Sequence, residues 1–142
     1  MPTRSGSARY EGLGKAGKGW ISTQSGVLAD QRYGFGTRFE NEPGTNPEEL
    51  IAAAHASCFT MALSFALAGA GYNDGSLETS AKVTVEKDGE GFTITKSALE
   101  LRAKVPGIAD DEFERIAADA KKNCPVSKVL NAEITLSHTL DK

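Results

Sequence analysis

Two cysteines, Cys58 and Cys124, offer the most chemistry in this 142-residue chain. Two thiols are too few for a disulfide framework, so each has to be read as a core residue or as a reactive sulfur. Cys58 stands in the charge-free run Leu50 to Ala70, among Ala and Phe, where a cysteine serves equally well as a small core hydrophobe. To ionise at neutral pH it needs a cation from elsewhere, because a free thiol has a pKa of about 8.5 and burial raises it. Cys124 directly precedes Pro125. With Pro125 as the first residue of a short helix, Cys124 takes the N-cap position, where backbone N–H groups stabilise a thiolate.

Arg38 is the leading candidate for the cation. It lies between Thr37 and Phe39 in the alternating run Tyr33 to Phe39, which reads as a strand with Arg38 facing away from the two Phe rings. Glu48 and Glu49 are placed to hold its guanidinium bidentately. Glu48 and Cys58 share one helix and sit about 15 Å apart along it at ~1.5 Å per residue. An Arg gripped by Glu48 is therefore far from the Cys58 of its own chain, whereas an antiparallel second copy of the helix removes the conflict and gives a shared site. His55, one turn before Cys58, opens an alternative, a cysteine hydrolase dyad. A satisfied core histidine is the preferred reading, since no third group is evident to orient the ring. A further alternative is a non-enzymatic binder of small apolar ligands. Cys58, Cys124, His55 and His138 lack the close-spaced pairs typical of zinc ligands, and there is no phosphate-binding glycine motif.

The elements that position these residues read as follows. Ala8 to Gly12 and Lys18 to Gln24 are short strands, and Asn41 to Asn46 is turn chemistry. A helix then starts with Asn46 as N-cap, Pro47 in the first turn and Glu48 and Glu49 at the positive end of the dipole, and runs to Ala68 before Gly69 and Gly71. It is apolar almost all round and long enough to raise the question of a membrane span, but its Ala, Ser, Thr and His content and the lack of flanking Lys or Arg favour a buried helix. From Leu77 a period-two pattern with a turn at Asp88 to Gly91 predicts a hairpin ending near Val105. Apolar parity changes after Ile94, which predicts a bulge or bend near Ser97 and Ala98. An amphipathic helix over Asp110 to Asn123, a short turn of helix through Leu130 and an alternating strand from Ile134 to Leu140 complete the chain.

Length and composition fit a single domain over residues 1–142, with 39% hydrophobic and 25% charged residues. A net charge of -3 gives no footprint for nucleic acid or an anionic membrane. The first ten residues carry no apolar stretch like a secretory signal, so a cytoplasmic location is the expectation.

The strings TNPEELIAAAHASCF from Thr45 to Phe59, NCPVSK from Asn123 to Lys128 and YGFGTRF from Tyr33 to Phe39 together resemble the OsmC/Ohr family, and its OsmC branch in particular. The resemblance covers essentially the whole chain. It implies an α+β fold in which curved antiparallel sheets wrap long central helices in an intertwined homodimer. The activity implied is a thiol peroxidase that reduces organic hydroperoxides without metal, heme or flavin, in a stress response to peroxides or osmotic shock. By resemblance, Cys58 is the peroxidatic cysteine and Cys124 the resolving one. Arg38 activates the thiolate, and Glu48, with Glu49 as a second candidate, fixes Arg38. A dithiol, of lipoyl type, is the implied reductant. Apolar residues of the long helix, Phe59, Met61 and Phe65, are the expected contact for the alkyl part of the substrate.

Overall fold

Strand pairing sorts the chain into two three-stranded sheets, in a computed structural model that describes all 142 residues. The first comprises β1 (Gly6–Glu11), β2 (Lys18–Thr23) and β3 (Gln31–Tyr33), paired antiparallel in that order. The second comprises β4 (Ser76–Asp88), β5 (Gly91–Lys104) and β6 (Glu133–Asp141). Four helices accompany them: α1 (Phe35–Phe39), α2 (Pro47–Gly69), α3 (Asp110–Asn123) and α4 (Pro125–Val129). The architecture is α+β, as expected. Residues 1–50 and 51–142 form two compact units, and α2 is continuous across the boundary.

In the first unit the cross-strand register brings Arg9, Trp20 and Arg32 into line. Both guanidinium groups lie over the indole, at 4.3 and 5.4 Å from the ring centroid, and such contacts are worth roughly 0.5–1 kcal/mol each at exposed sites. Beside Trp20, Gly19 is buried under the rings of Tyr33 and Tyr10; a Cβ there would come within 2.5 Å of the Tyr33 ring, so the close approach requires glycine.

Arg38 is on a helix and not on the expected strand. β3 stops at Tyr33, and Gly34 opens the short α1. The Thr37 side chain closes that turn: the Gly34 N–H donates to Thr37 Oγ1 at 2.8 Å and the hydroxyl donates back to the Gly34 carbonyl at 3.1 Å. Phe35 and Phe39 fit alternation, but they are also four residues apart, and in α1 their rings meet at 5.3 Å between centroids. A run this short fits both periods, and the Gly34–Thr37 hydrogen bonds decide between them.

The start of α2 follows the sequence reading. The Glu49 N–H donates to Asn46 Oδ1 at 2.8 Å, which makes Asn46 the N-cap. The helix ends as the Tyr72 N–H reaches back to the Leu67 carbonyl at 2.9 Å, with Gly71 at φ 99°, a glycine C-terminal motif.

In the second unit one stripe of α2, His55, Phe59, Leu63 and Leu67, is buried in a core with Leu99, Leu101, Ala103 and Val105 of β5 and Phe113, Ile116, Ala117 and Ala120 of α3. The expectation that α2 is buried on most sides is not met within one chain. Met61 is 63% and Phe65 73% exposed, and α2 has the length and composition that could cross a membrane.

β4 and β5 form the predicted hairpin, closed by Gly89 and Glu90, with Gly89 at φ 60°. The bulge falls earlier than expected. Thr84 pairs with Lys96 and Val85 with Ile94, so Thr95 is the extra residue. Apolar parity places the change only between Ile94 and Leu99, because the first residue of the new inward frame is polar: Ser97, which is fully buried. The sheet is also mixed rather than antiparallel, since β6 returns parallel to β5 after α3 and α4. A parallel neighbour needs a crossover of a dozen residues or more, which the two helices supply.

Candidate active site

Arg38 lies in the last turn of α1 and Glu48 is the second residue of α2. Nε of Arg38 donates to Glu48 Oε1 at 2.8 Å and its Nη2 to Oε2 at 2.9 Å, the bidentate geometry anticipated for this pair. The Glu48 side chain is buried and the Arg38 side chain about one-third exposed, so the carboxylate holds the cation without enclosing it. Glu49 has a different task. Its carboxylate accepts from the Thr45 hydroxyl at 2.7 Å while its N–H caps onto Asn46, so it organises the helix start and leaves Arg38 to Glu48. Arg38 also lines a concave surface with Tyr10, Tyr33, Phe35 and Phe39. That aromatic wall was not anticipated from the sequence.

Within residues 51–142 the fold brings together the two cysteines, which are far apart in sequence. Both are free thiols, Cys124 fully buried and Cys58 partly so, and each bears on the ionisation of the other. Cys58 projects from α2, while Cys124 caps α4 with Pro125 as the first helical residue, as the sequence predicted. Burial pushes the Cys58 thiol up, and the contact with Cys124 adds to this against one opposing hydrogen bond from the Val126 N–H. Burial also acts against ionisation of Cys124. There it is outweighed by hydrogen bonds from the Cys58 thiol, from the Ser127 N–H and hydroxyl and from the Val126 N–H, so the Cys124 thiol is held below its ordinary value. The surroundings thus favour ionisation of Cys124 and oppose that of Cys58.

His55 is fully buried, and burial holds its pKa below the ordinary imidazole value, which keeps the ring neutral. Nδ1 meets the Ser97 hydroxyl at 2.6 Å and Nε2 the Ser127 hydroxyl at 2.8 Å. With both ring nitrogens engaged by serines it is the satisfied core histidine of the sequence reading, and the hydrolase dyad with Cys58 loses its base. Ser97 and Ser127 were missed at that stage. Ser127 lies inside the CPVS string, and Ser97 is a polar residue at an inward strand position; both signals become meaningful only with the bulge at Thr95 in place. Phe59 is in the core and is not open to a substrate, whereas Met61 and Phe65 are exposed in the single chain.

Comparison with known proteins shows the family. A family described as OsmC-like protein matches residues 39–139, a span that contains Glu48, His55, Cys58, Cys124 and Ser127 and begins one residue after Arg38. The chain is 56% identical to the peroxiredoxin OsmC of Escherichia coli over 96% of each chain. It is 33% identical to the organic hydroperoxide resistance protein of Xanthomonas axonopodis pv. citri over 68% of this chain and 67% of that one. The crystal structure of the organic hydroperoxide resistance protein OhrB of Bacillus subtilis superposes with a TM-score of 0.71 at 26% identity, covering 96% of this chain and 98% of that one. The paired sulfurs, the Arg38–Glu48 clamp and this near full-length likeness together make the chain a member of the OsmC family.

Proposed function

We propose that the protein is a cysteine-based peroxidase that reduces organic hydroperoxides to alcohols. The observation that carries this reading is the pair of free, adjoining sulfurs, Cys58 and Cys124, the second of them poised as a nucleophile at the start of α4. The names of its relatives, a peroxiredoxin and organic hydroperoxide resistance proteins, support it.

The Cys58 thiolate gives an electron pair to the distal oxygen of ROOH. The O–O bond breaks, the alkoxide takes a proton and leaves as alcohol, and Cys58 becomes a sulfenic acid. Cys124 then attacks the Cys58 sulfur; the S–S bond forms as the S–O bond breaks, and hydroxide leaves as water with the proton given up by Cys124. An external dithiol, of lipoyl type, reopens the disulfide by exchange and is itself oxidised. Arg38 lowers the Cys58 pKa and stabilises charge developing on the peroxide oxygens. Glu48 keeps its fork aimed. The aromatic wall around Arg38 suits an alkyl or aryl tail, each buried methylene contributing about 0.8 kcal/mol.

The working unit is a homodimer, acting in the cytoplasm. The exposed Met61 and Phe65 leave an apolar face on a helix whose other stripe is committed to its own core, and a second copy of α2 across a two-fold axis covers it. The same packing brings the Arg38–Glu48 clamp of one chain to the Cys58 of its partner. The test is a free-thiol titration before and after one equivalent of cumene hydroperoxide, with the bridge located by mass spectrometry. Loss of two thiols and a Cys58–Cys124 bridge is expected. Retention of both thiols defeats the reading, and a monomer by sedimentation at micromolar concentration defeats the shared site.

A further inference from the structure

Three buried side chains, Ser97 of β5, His55 of α2 and Ser127 of α4, form a chain of hydrogen bonds that leads to the helix start capped by Cys124. Ser97, His55 and Cys124 are fully buried and Ser127 is 9% exposed. The links are 2.6 Å from Ser97 Oγ to Nδ1 and 2.8 Å from Nε2 to Ser127 Oγ, and Ser127 stands three residues after Cys124 in the first turn of α4, where its hydroxyl and N–H favour the Cys124 thiolate. Cys58 and His55, both from α2, are the titratable groups that meet this chain from the elements around Cys124; β5 contributes a neutral hydroxyl.

A neutral imidazole donates from one nitrogen and accepts at the other, so the chain can run in only two directions. When Ser97 donates to Nδ1, Nε2–H donates to Ser127 Oγ, and the Ser127 hydroxyl proton is free to point at Cys124 as a donor to a thiolate. When Nδ1–H donates to Ser97, Nε2 accepts the Ser127 proton, and Ser127 Oγ can only accept from a Cys124 S–H. The tautomer of a histidine that never touches either sulfur is thereby tied to the protonation of one of them. Such a neutral link suits a buried site, because it steers a proton without adding a second charge that would have to be desolvated.

We propose that His55 is a positioning residue for the resolving step: acting through Ser127, it orients a hydroxyl that holds Cys124 as the thiolate that attacks the Cys58 sulfenic acid. This rests on the peroxidase reading and adds the groups that serve its second sulfur.

The experiment uses the reduced full-length protein with 15N-labelled histidine. NMR titration over pH is expected to show the His55 ring switching tautomer as Cys124 ionises, with His138 as internal reference, and to show no switch in Cys124→Ala. After one equivalent of cumene hydroperoxide, Ser127→Ala is expected to form the disulfide about tenfold more slowly, to accumulate dimedone-trappable sulfenic acid and to shift the pH profile of disulfide formation to higher pH; Ser127→Thr restores the parent profile. Ser97→Ala provides a second break in the chain, on the far side of the imidazole from Ser127, with a smaller shift in the same direction. A tautomer that does not follow Cys124, or a pH profile unmoved in both alanine variants, overturns the inference. Failure of the peroxidase reading looks different, because the parent protein itself then forms no bridge.

Discussion

The Arg38–Glu48 clamp and the Cys58–Cys124 cluster solve opposite problems. The clamp fixes a full charge: a planar guanidinium, on a side chain about one-third exposed, is gripped on two nitrogens by the carboxylate of a buried side chain. The sulfur cluster is built from neutral groups, two thiols, two hydroxyls and an uncharged imidazole, with backbone N–H groups of α4 as donors. The neutral surroundings hold Cys124 below its ordinary value but leave Cys58 above it. The neutral donors thus favour ionisation of Cys124, and the proposed activation of Cys58 is left to the full charge of Arg38.

Removing the sulfurs gives the largest contrast. Cys58→Ser is expected to abolish peroxide consumption, while Cys124→Ser consumes one equivalent and then stalls as a sulfenic acid. Turnover in Cys58→Ser near the parent rate reverses the assignment. Next is the cation. Arg38→Ala should slow Cys58 oxidation by on the order of 100-fold and move the alkylation profile of Cys58 to higher pH, and Arg38→Lys should recover only part of this because an ammonium cannot reproduce the fork. An alkylation profile unchanged in Arg38→Ala removes the cation from the mechanism. Co-refolding Cys58→Ser chains with Arg38→Ala chains sharpens the point: activity returns if the clamp serves a partner's sulfur, and failure to complement places both on one chain.

Glu48→Gln keeps an acceptor but loses the charge-assisted fork, and a smaller loss of about tenfold in oxidation rate is expected. Stopped-flow comparison with Arg38→Ala decides whether Glu48 acts through Arg38, since the double variant should then be no slower than Arg38→Ala.

The smallest effect concerns stability. Burial lowers the His55 pKa in the folded chain, so below an unfolded value of about 6.5 the unfolded chain binds a proton that the folded one does not. His55 therefore costs nothing above that pH, and stability falls as pH drops toward the folded pKa, by at most about 1.4 kcal/mol per pH unit. His55→Gln should show a shallower loss in urea melts between pH 7 and 5.5. An equal slope in parent and variant shows that the ring takes up no proton cost on folding.

Which of these features the sequence disclosed depended on how local their physics is. The cap at Asn46, the hairpin turn at Gly89 and the amphipathic α3 were legible because each is set by residues within a few positions. Cys124 at a helix start was legible for the same reason, through Pro125. The helix at Arg38 was misread because Phe35 and Phe39 satisfy two periods at once. The parallel return of β6 and the hydroxyls of Ser97 and Ser127 on His55 were not legible, since they depend on where distant strands and helices meet. The pairing of the two cysteines and the clamp at Glu48 were anticipated through whole-chain resemblance together with charge and spacing, and the geometry now gives both a physical basis.

The extra residue at Thr95 has a genetic corollary. Before it the hairpin is in one side-chain frame and after it in the other, so Ser97 faces His55 only because one residue is left out of the pairing count. Loss of a single codon here is therefore unlike a deletion in a loop. The β4–β5 turn and the long inward row Ser97, Leu99, Leu101, Ala103 cannot both keep their frame, and either the core turns outward or the hairpin is remade. A lineage of such proteins is free to vary the letters of this strand, but its length between turn and histidine contact is under a constraint that substitution alone does not reveal.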